Sequence, residues 1–187
     1  SFFIRFLVAK MDHTNNDCLL VTIMTHGIGI KKVQAYDGGL EVEELWGRFE
    51  GNKCVTLIGK PKLFFVQACR GDDVDEGAKV LRRNVIDARG EGSWITYPSS
   101  SDQLIMYSTP KGKVSVRNEV TGTWFIQELC VQLEKLTTED LLSVLTRVNH
   151  AVAQYHEEVE VNRKIYLAKQ IPIIMSSLTK NIYFDQS

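Results

Sequence analysis

The chain of 187 residues has few cysteines, and they are scattered. No two of them form a Cys-x-x-Cys pair, and the four are Cys18, Cys54, Cys69 and Cys130. Disulfide frameworks are typical of small secreted chains that are rich in cysteine. A tetrahedral zinc site needs cysteine and histidine ligands at short spacing, which this sequence does not offer. We therefore expect reduced thiols, no metal or other cofactor, and a cytoplasmic location.

The chain also lacks a surplus of charge and a long apolar run. Its formal net charge is −1 at pH 7, whereas proteins that bind nucleic acids or anionic membranes carry strongly basic surfaces. No stretch approaches the ~20 apolar residues of a membrane-spanning helix, and we do not expect a signal peptide. Nucleic-acid and membrane partners are thus excluded, and the length suits one domain with a sizeable core.

Short apolar segments, too short for helices and rich in β-branched or aromatic residues, predict buried strands. They lie at residues 17–24, 63–66, 103–107 and 171–178. Between residues 72 and 102 no periodicity survives, which indicates a long loop or linker.

Amphipathic segments between and after these strands predict helices. A short helix is expected at 41–49, and two longer ones follow residue 125 with apolar stripes at a 3.6-residue period. Thr137 and Asp140 have the spacing of a capping box ahead of the last helix. Strands that alternate with helices predict an α/β fold with a mostly parallel central sheet and helices on both faces.

Two polar residues each lie just past the end of a predicted strand. His26 follows the first strand and Cys69 follows the second, so both are expected to face the crevice at the carboxyl ends of a parallel sheet. An imidazole beside a thiol favours the nucleophilic thiolate. Gly27 and Gly71 would permit close backbone approach and offer N–H groups to an oxyanion.

Each of these residues has a structural alternative, because a lone cysteine at a strand end is more often an inert, buried side chain. Cys18 and Cys130 are assigned to the core in this way, and His13 to solvent. Only the local sequence around Cys69 and His26 separates them from that alternative.

That local sequence resembles the caspase family. The run Gln67-Ala68-Cys69-Arg70-Gly71, with His26 placed 43 positions earlier, matches the caspase signature. Further motifs occur in the family's order: Tyr107-Ser108-Thr109, Arg117-Asn118, Gly122-Thr123-Trp124-Phe125-Ile126-Gln127 and Lys169-Gln170-Ile171-Pro172. The resemblance covers nearly the whole chain. It implies a three-layer caspase-like fold and a cysteine endopeptidase that cuts after aspartate in apoptosis or related signalling.

The resemblance also implies a role for each matching residue. Cys69 would be the nucleophile and His26 the general acid and base, with the N–H groups of Gly27 and Cys69 as the oxyanion hole. Substrate would be bound by Gln67, Ser115, Val116, Arg117 and Trp124. Among these, Gln67 and Arg117 would line the pocket for the substrate aspartate, since a guanidinium fork pairs well with a carboxylate.

Two departures from the family pattern stand out. Val114 and Val116 occupy positions where caspases usually have aromatic residues, which predicts a wider pocket for the substrate residue before aspartate. The strand–helix–strand unit that opens caspase domains and supplies a second pocket arginine is not found in this sequence.

The family pattern divides the single domain, residues 1–187, into three parts. A large-subunit part covers about 1–71, an inter-subunit linker about 72–102 and a small-subunit part about 103–187, with Asp87 as the expected processing site.

Implied partners are proteins or peptides with aspartate before the cut, caspase inhibitors or partner caspases, and a second copy bound through the last strand, Ile171–Leu178. The alternative is a catalytically impaired caspase homologue that acts as a regulatory or decoy partner. A third hypothesis is a nucleotide-binding protein, for which Gly27-Ile28-Gly29 supplies only a lone Gly-x-Gly and not the full fingerprint.

Overall fold

The structure is a computed structural model that describes residues 8–75, 98–118, 122–135, 138–161 and 163–184. Its elements in chain order are β1 (Leu19–Met24), β2 (Gly27–Ile28), β3 (Lys32–Ala35), β4 (Gly38–Glu41), α1 (Glu44–Gly47), β5 (Lys62–Gln67), β6 (Gln103–Tyr107), β7 (Arg117–Asn118), β8 (Gly122–Thr123), α2 (Trp124–Glu134), α3 (Leu141–Gln154), β9 (Glu157–Val161), β10 (Lys164–Ala168) and β11 (Ile173–Ser176).

Four strands form the central sheet, in the order β1-β5-β6-β11. Strands β1, β5 and β6 run parallel, with Met24 opposite Gln67 and Val66 opposite Tyr107. Strand β11 pairs antiparallel with β6 at the sheet edge. The predicted, mostly parallel sheet is confirmed. Its last strand is shorter than predicted and begins after Pro172, which cannot donate to a ladder.

The side chains of β5 are buried on both sides of the sheet, so the strand serves two cores. Leu63 and Phe65 pack in one core with α2 and α3. Phe64 and Val66 pack in the other with residues of the α1 region, including Leu45. Because alternate residues of a strand point to opposite faces, a continuous apolar run needs cover on both. The predicted helices on both faces are confirmed.

The amino end of helix α3 is capped by the side chain of Asp140. The Asp140 carboxylate accepts from the N–H groups of Leu142 at 3.0 Å and Ser143 at 3.4 Å, so Asp140 is the N-cap, a contribution of about 1 kcal/mol. The predicted capping box had placed the cap at Thr137, which lies outside the described residues. Its register is corrected by three residues, because the Asp140 side chain itself bonds the first free N–H groups.

Two single-residue predictions were wrong. Cys130 is exposed on α2, whereas the spacing placed it in the core. His13 is buried, with Nε2 2.8 Å from the Val8 carbonyl and Nδ1 2.9 Å from Asn16 Nδ2. These two partners occupy both ring nitrogens and explain why a polar neighbourhood in sequence did not mean a solvated ring.

Three smaller sheets accompany the central sheet in the described ranges. Strands β2, β3 and β4 form an antiparallel sheet directly after His26. Strands β7 and β8 pair with each other, and so do β9 and β10. Among the helices of the described ranges, none has the length and hydrophobicity that crossing a bilayer requires.

Candidate active site

A cavity of about 700 Å³ lies at the carboxyl ends of β1 and β5. Its wall is formed by Met24, Thr25, His26, Gln67, Cys69, Ser115, Arg117, Gly122 and Thr123. The predicted nucleophile, the predicted acid and base, and three of the predicted substrate-binding residues therefore share one wall.

The parallel register of β1 and β5 brings His26 and Cys69 together. Met24 lies opposite Gln67 in the ladder, and the Thr25 N–H donates to the Gln67 carbonyl at 3.1 Å. Strands β1 and β5 end at the same level of the sheet. His26 and Cys69 therefore project into the same cavity. His26 is exposed and Cys69 is half-buried.

Two glycines let backbone segments cross tightly beside Cys69. A Cβ on Gly27 would lie 1.9 Å from the Cys69 carbonyl oxygen. A Cβ on Gly71, whose φ is +149°, would lie 2.4 Å from the Gly112 carbonyl oxygen. Backbone atoms cannot yield as flexible side chains do, so any larger residue would displace one of the two segments.

The segment after Cys69 is bonded to the loop of residues 110–116, here called the substrate loop. The Arg70 N–H donates to the Lys113 carbonyl at 3.0 Å, and the Gly112 N–H donates to the Arg70 carbonyl at 2.7 Å. The Asp73 carbonyl accepts from the Val114 N–H at 2.9 Å. The cysteine segment and the substrate loop therefore hold each other in place.

The Arg70 side chain anchors the segment after Cys69 to the ring of Tyr107 at the end of β6. Its guanidinium carbon lies 3.7 Å from the centre of the Tyr107 ring, a cation–π contact. Burial lowers the pKa of Arg70 and raises the pKa of Tyr107 to about 12. The phenol therefore stays neutral at physiological pH and keeps its ring beneath the guanidinium.

The Cys69 thiol contacts the main chain of Ser115. Its Sγ accepts from the Ser115 N–H at 3.4 Å and lies 3.7 Å from the Ser115 carbonyl oxygen. The Ser115 main chain therefore holds the sulfur on the cavity wall.

The Gln67 side-chain amide also lies on the cavity wall, and one of its two polar atoms is unpaired. Its Nε2 donates to Ser115 Oγ at 2.8 Å, and its Oε1 is buried without a hydrogen-bond partner among the described residues. Amide oxygen and nitrogen are interchangeable in such an assignment. Turned by 180°, the amide would accept from the Ser115 hydroxyl and leave its NH₂ for a ligand. An incoming carboxylate would satisfy that NH₂.

The remaining predicted substrate-binding residues are divided between the cavity and the core. Arg117 is exposed and on the cavity wall, where it pairs with Thr123 in the β7–β8 ribbon. Val116 and Trp124 are buried in the core, and Trp124 stacks on Tyr155 at 5.5 Å. The binding roles of all five residues stay predictions, and Asp87 lies outside the described residues.

Sequence reasoning missed four wall residues: Met24, Thr25, Gly122 and Thr123. The strand-end pattern that identified His26 also covers Met24, which ends the same strand, and Thr25, which follows it. Gly122 and Thr123 carried no signal beyond their place in a motif. Within the described ranges, no three histidine, cysteine or acidic residues cluster as metal ligands would.

A family model described as "Caspase domain" matches residues 3–183 of the chain. Caspase-1 of Spodoptera frugiperda is 41% identical over 180 residues, which are 95% of this chain and 59% of that protein. Caspase-6 of Gallus gallus is 36% identical over 192 residues, with 96% of this chain and 62% of that protein covered.

The fold comparison agrees with the sequence comparison. The crystal structure of caspase-1 from Spodoptera frugiperda matches with a TM-score of 0.85 at 38% identity, covering 100% of this chain and 71% of that chain. The chain thus spans about three fifths of the length of the two relatives named. With the family model matched over nearly all residues, the chain belongs to the caspase family of cysteine proteases.

Proposed function

We propose that the protein is an endopeptidase that cleaves peptide bonds after aspartate, in apoptosis or a related signalling process. One observation carries the proposal: a thiol, an imidazole, a guanidinium and an amide with a buried unpaired atom share one cavity wall. The thiol and imidazole supply bond cleavage, and the guanidinium and amide supply a binding pocket for one carboxylate.

In the proposed reaction, His26 takes the Cys69 proton and the sulfur attacks the carbonyl carbon of the scissile bond. The oxygen of that carbonyl becomes negatively charged and accepts hydrogen bonds from the N–H groups of Gly27 and Cys69. The C–N bond then breaks as His26 returns the proton to the leaving amine. Water, deprotonated by His26, hydrolyses the thioester and regenerates the thiol.

The substrate aspartate would lie between Arg117 and Gln67. Arg117 offers two parallel N–H donors to the carboxylate. Gln67 adds its NH₂ once the Ser115 hydroxyl donates to Oε1, which removes the buried unpaired oxygen. Leaving such an atom unpaired costs roughly 1–3 kcal/mol, so the bound carboxylate completes a network that the empty site leaves open.

A peptide mixture with single Asp, Glu, Asn or Ala residues in a common frame tests the proposal. The intact protein is expected to cut after Asp, as identified by product masses, and to be blocked by an aspartyl electrophile that labels Cys69. Binding of aspartyl peptides without any cleavage would instead support the regulatory alternative.

Gly27→Ala is expected to lower kcat/KM by about 10²-fold or more, because the added Cβ displaces β2 from the Cys69 carbonyl and with it one oxyanion donor. Steady-state kinetics on an aspartyl peptide measure the effect. The control is Gly39→Ala in β4, where the added Cβ meets only side-chain atoms of Ile28 and Lys32, the nearest at 3.4 Å. Equal loss in both variants would contradict a role specific to Gly27.

We further propose a homodimer through the edge of β11. This strand ends the central sheet opposite β1, and its Met175 is 50% exposed. An uncovered apolar edge can pair with another strand, and a second copy would pair through the same strand across a two-fold axis. Ile174 packs against the core, so Met175 offers the cleaner test.

Met175→Asp is expected to weaken dimerisation roughly 100-fold, since it brings two like charges together in each dimer. Sedimentation at matched concentrations, with and without an aspartyl inhibitor, measures the change. Met11→Asp, at a methionine 58% exposed elsewhere, is the control. A wild-type protein that stays monomeric with inhibitor bound would rule the dimer out.

Processing and location complete the proposal. A cut after Asp87 would separate a large part, about 1–71, from a small part, about 103–187, and Asp87 is followed by the small Ala88. The four cysteines are free thiols in the structure, which suits the reducing cytoplasm. Caspase inhibitors and partner caspases are the proposed protein partners besides substrates.

A further inference from the structure

A buried glutamine outside the cavity joins the substrate loop to the central sheet. Gln170 is 2% exposed and lies just before β11. Its Oε1 accepts from the Val116 N–H at 2.7 Å, and its Nε2 donates to the Ser108 carbonyl at 2.9 Å. Both ends of the amide are paired with backbone groups of the right polarity.

The two partners explain why an amide is required at this position. Val116 offers a donor and Ser108 an acceptor, so the side chain between them needs one acceptor and one donor at opposite ends. A carboxylate would face the Ser108 carbonyl with a second acceptor. An apolar residue would leave two backbone groups buried without partners.

The two hydrogen bonds of Gln170 end at backbone groups next to the cavity wall and next to β5. Val116 stands between Ser115, which contacts Cys69 and Gln67, and Arg117, which lines the cavity. Ser108 follows β6 and remains paired with β5, since its N–H donates to the Val66 carbonyl at 2.9 Å. Gln170 thus links the Val116 backbone in the substrate loop to the Ser108 backbone at the end of β6.

The neighbouring residue extends the connection to the segment after Cys69. The Lys169 N–H donates to the Asp75 carbonyl at 2.7 Å. Residues 169 and 170 therefore hold the substrate loop and the end of the cysteine segment from one short stretch ahead of the edge strand β11.

We infer that Gln170 is a positioning residue: it fixes the Val116 backbone and through it the orientation of Ser115 and Arg117 toward substrate. The inference rests on the proposed function for its link to catalysis. The hydrogen bond between Gln170 and the Val116 N–H can be measured without any activity assay.

Gln170→Asn tests the hold directly, because its side chain is one methylene shorter and cannot reach both partners. Amide hydrogen exchange at Val116 is expected to speed up about 10-fold, the loss of one net hydrogen bond, and kcat/KM for an aspartyl peptide to fall by at least as much. Unchanged exchange at Val116 overturns the inference. Faster exchange with unchanged kinetics also overturns it, because the bond would then not position the loop.

Gln170→Glu adds a readout that loss of shape alone would not move. Burial raises the pKa of the new carboxyl, and once protonated it can donate to Ser108 while accepting from Val116. The ratio of variant to wild-type kcat/KM should therefore rise several-fold between about pH 8 and about pH 6. A ratio that is flat across this range contradicts the hydrogen-bonding role.

Gln103→Glu is the matched control, because it makes the same change in a buried glutamine at the opposite end of β6. It should leave the kinetics and Val116 exchange unaltered while the protein stays folded. If the wild type cleaves no aspartyl peptide, the proposed function fails, and the exchange measurement still decides whether Gln170 holds the loop.

Discussion

Cys69→Ala is expected to lower cleavage of aspartyl peptides by a factor on the order of 10⁴ or more. Without the sulfur no thioester forms, and the remaining groups can only bind the peptide. The fold should be retained, since the half-buried thiol contacts the main chain of Ser115 and lies outside both core clusters. Thermal unfolding midpoints and initial rates on one peptide measure both effects.

Cys130→Ala provides the control for general effects of losing a thiol. Cys130 is exposed on α2, so its loss should change neither the rate nor the unfolding midpoint. Near wild-type turnover in the Cys69 variant would make the nucleophile assignment wrong, whatever the control shows.

The second large effect concerns the substrate side chain. The wild-type protein is expected to prefer Asp over Asn by a factor on the order of 10⁴ in kcat/KM, because the amide of Asn presents an NH₂ donor to Arg117 and Gln67 where the carboxylate presents a second acceptor oxygen. Arg117→Gln should reduce this preference to about 10-fold by removing the bidentate cation. Paired kinetics on Asp and Asn peptides of otherwise identical sequence give the ratio.

Arg147→Gln is the matched control for that ratio. Arg147 is a helix α3 residue that pairs with Glu139, so its loss should leave the Asp preference intact. Equal rates on the two peptides with wild-type protein would exclude the aspartate pocket as proposed.

The sheet and the meeting of His26 with Cys69 were predictable because they depend on local pattern and one topological rule. Strands with continuous apolar runs need cover on both faces, and neighbouring parallel strands end at the same edge. Both conditions are visible in the residues themselves. The resemblance to caspases added the roles of the residues and the order of the motifs.

What could not be predicted depends on distant partners. Gln170 bonds Val116 from 54 positions away, and nothing in the local sequence shows that its amide meets a donor and an acceptor. His13 is buried because Val8 and Asn16 satisfy its ring. Cys130 follows the buried Leu129 by one position, and a step of about 100° around a helix was enough to expose it.

The pairing of β5 with β6 has a consequence for how the molecule would withstand a nick. In the sequence, residues 76–97 come between β5 and β6, and these two strands pair in register from Lys62 opposite Gln103 to Val66 opposite Tyr107. Both flanks of that stretch also contribute to a single core, with Leu63 and Phe65 from one flank and Leu104 and Met106 from the other. A severed chain would therefore behave as a tight complex of two polypeptides. Separating them would require melting the whole domain.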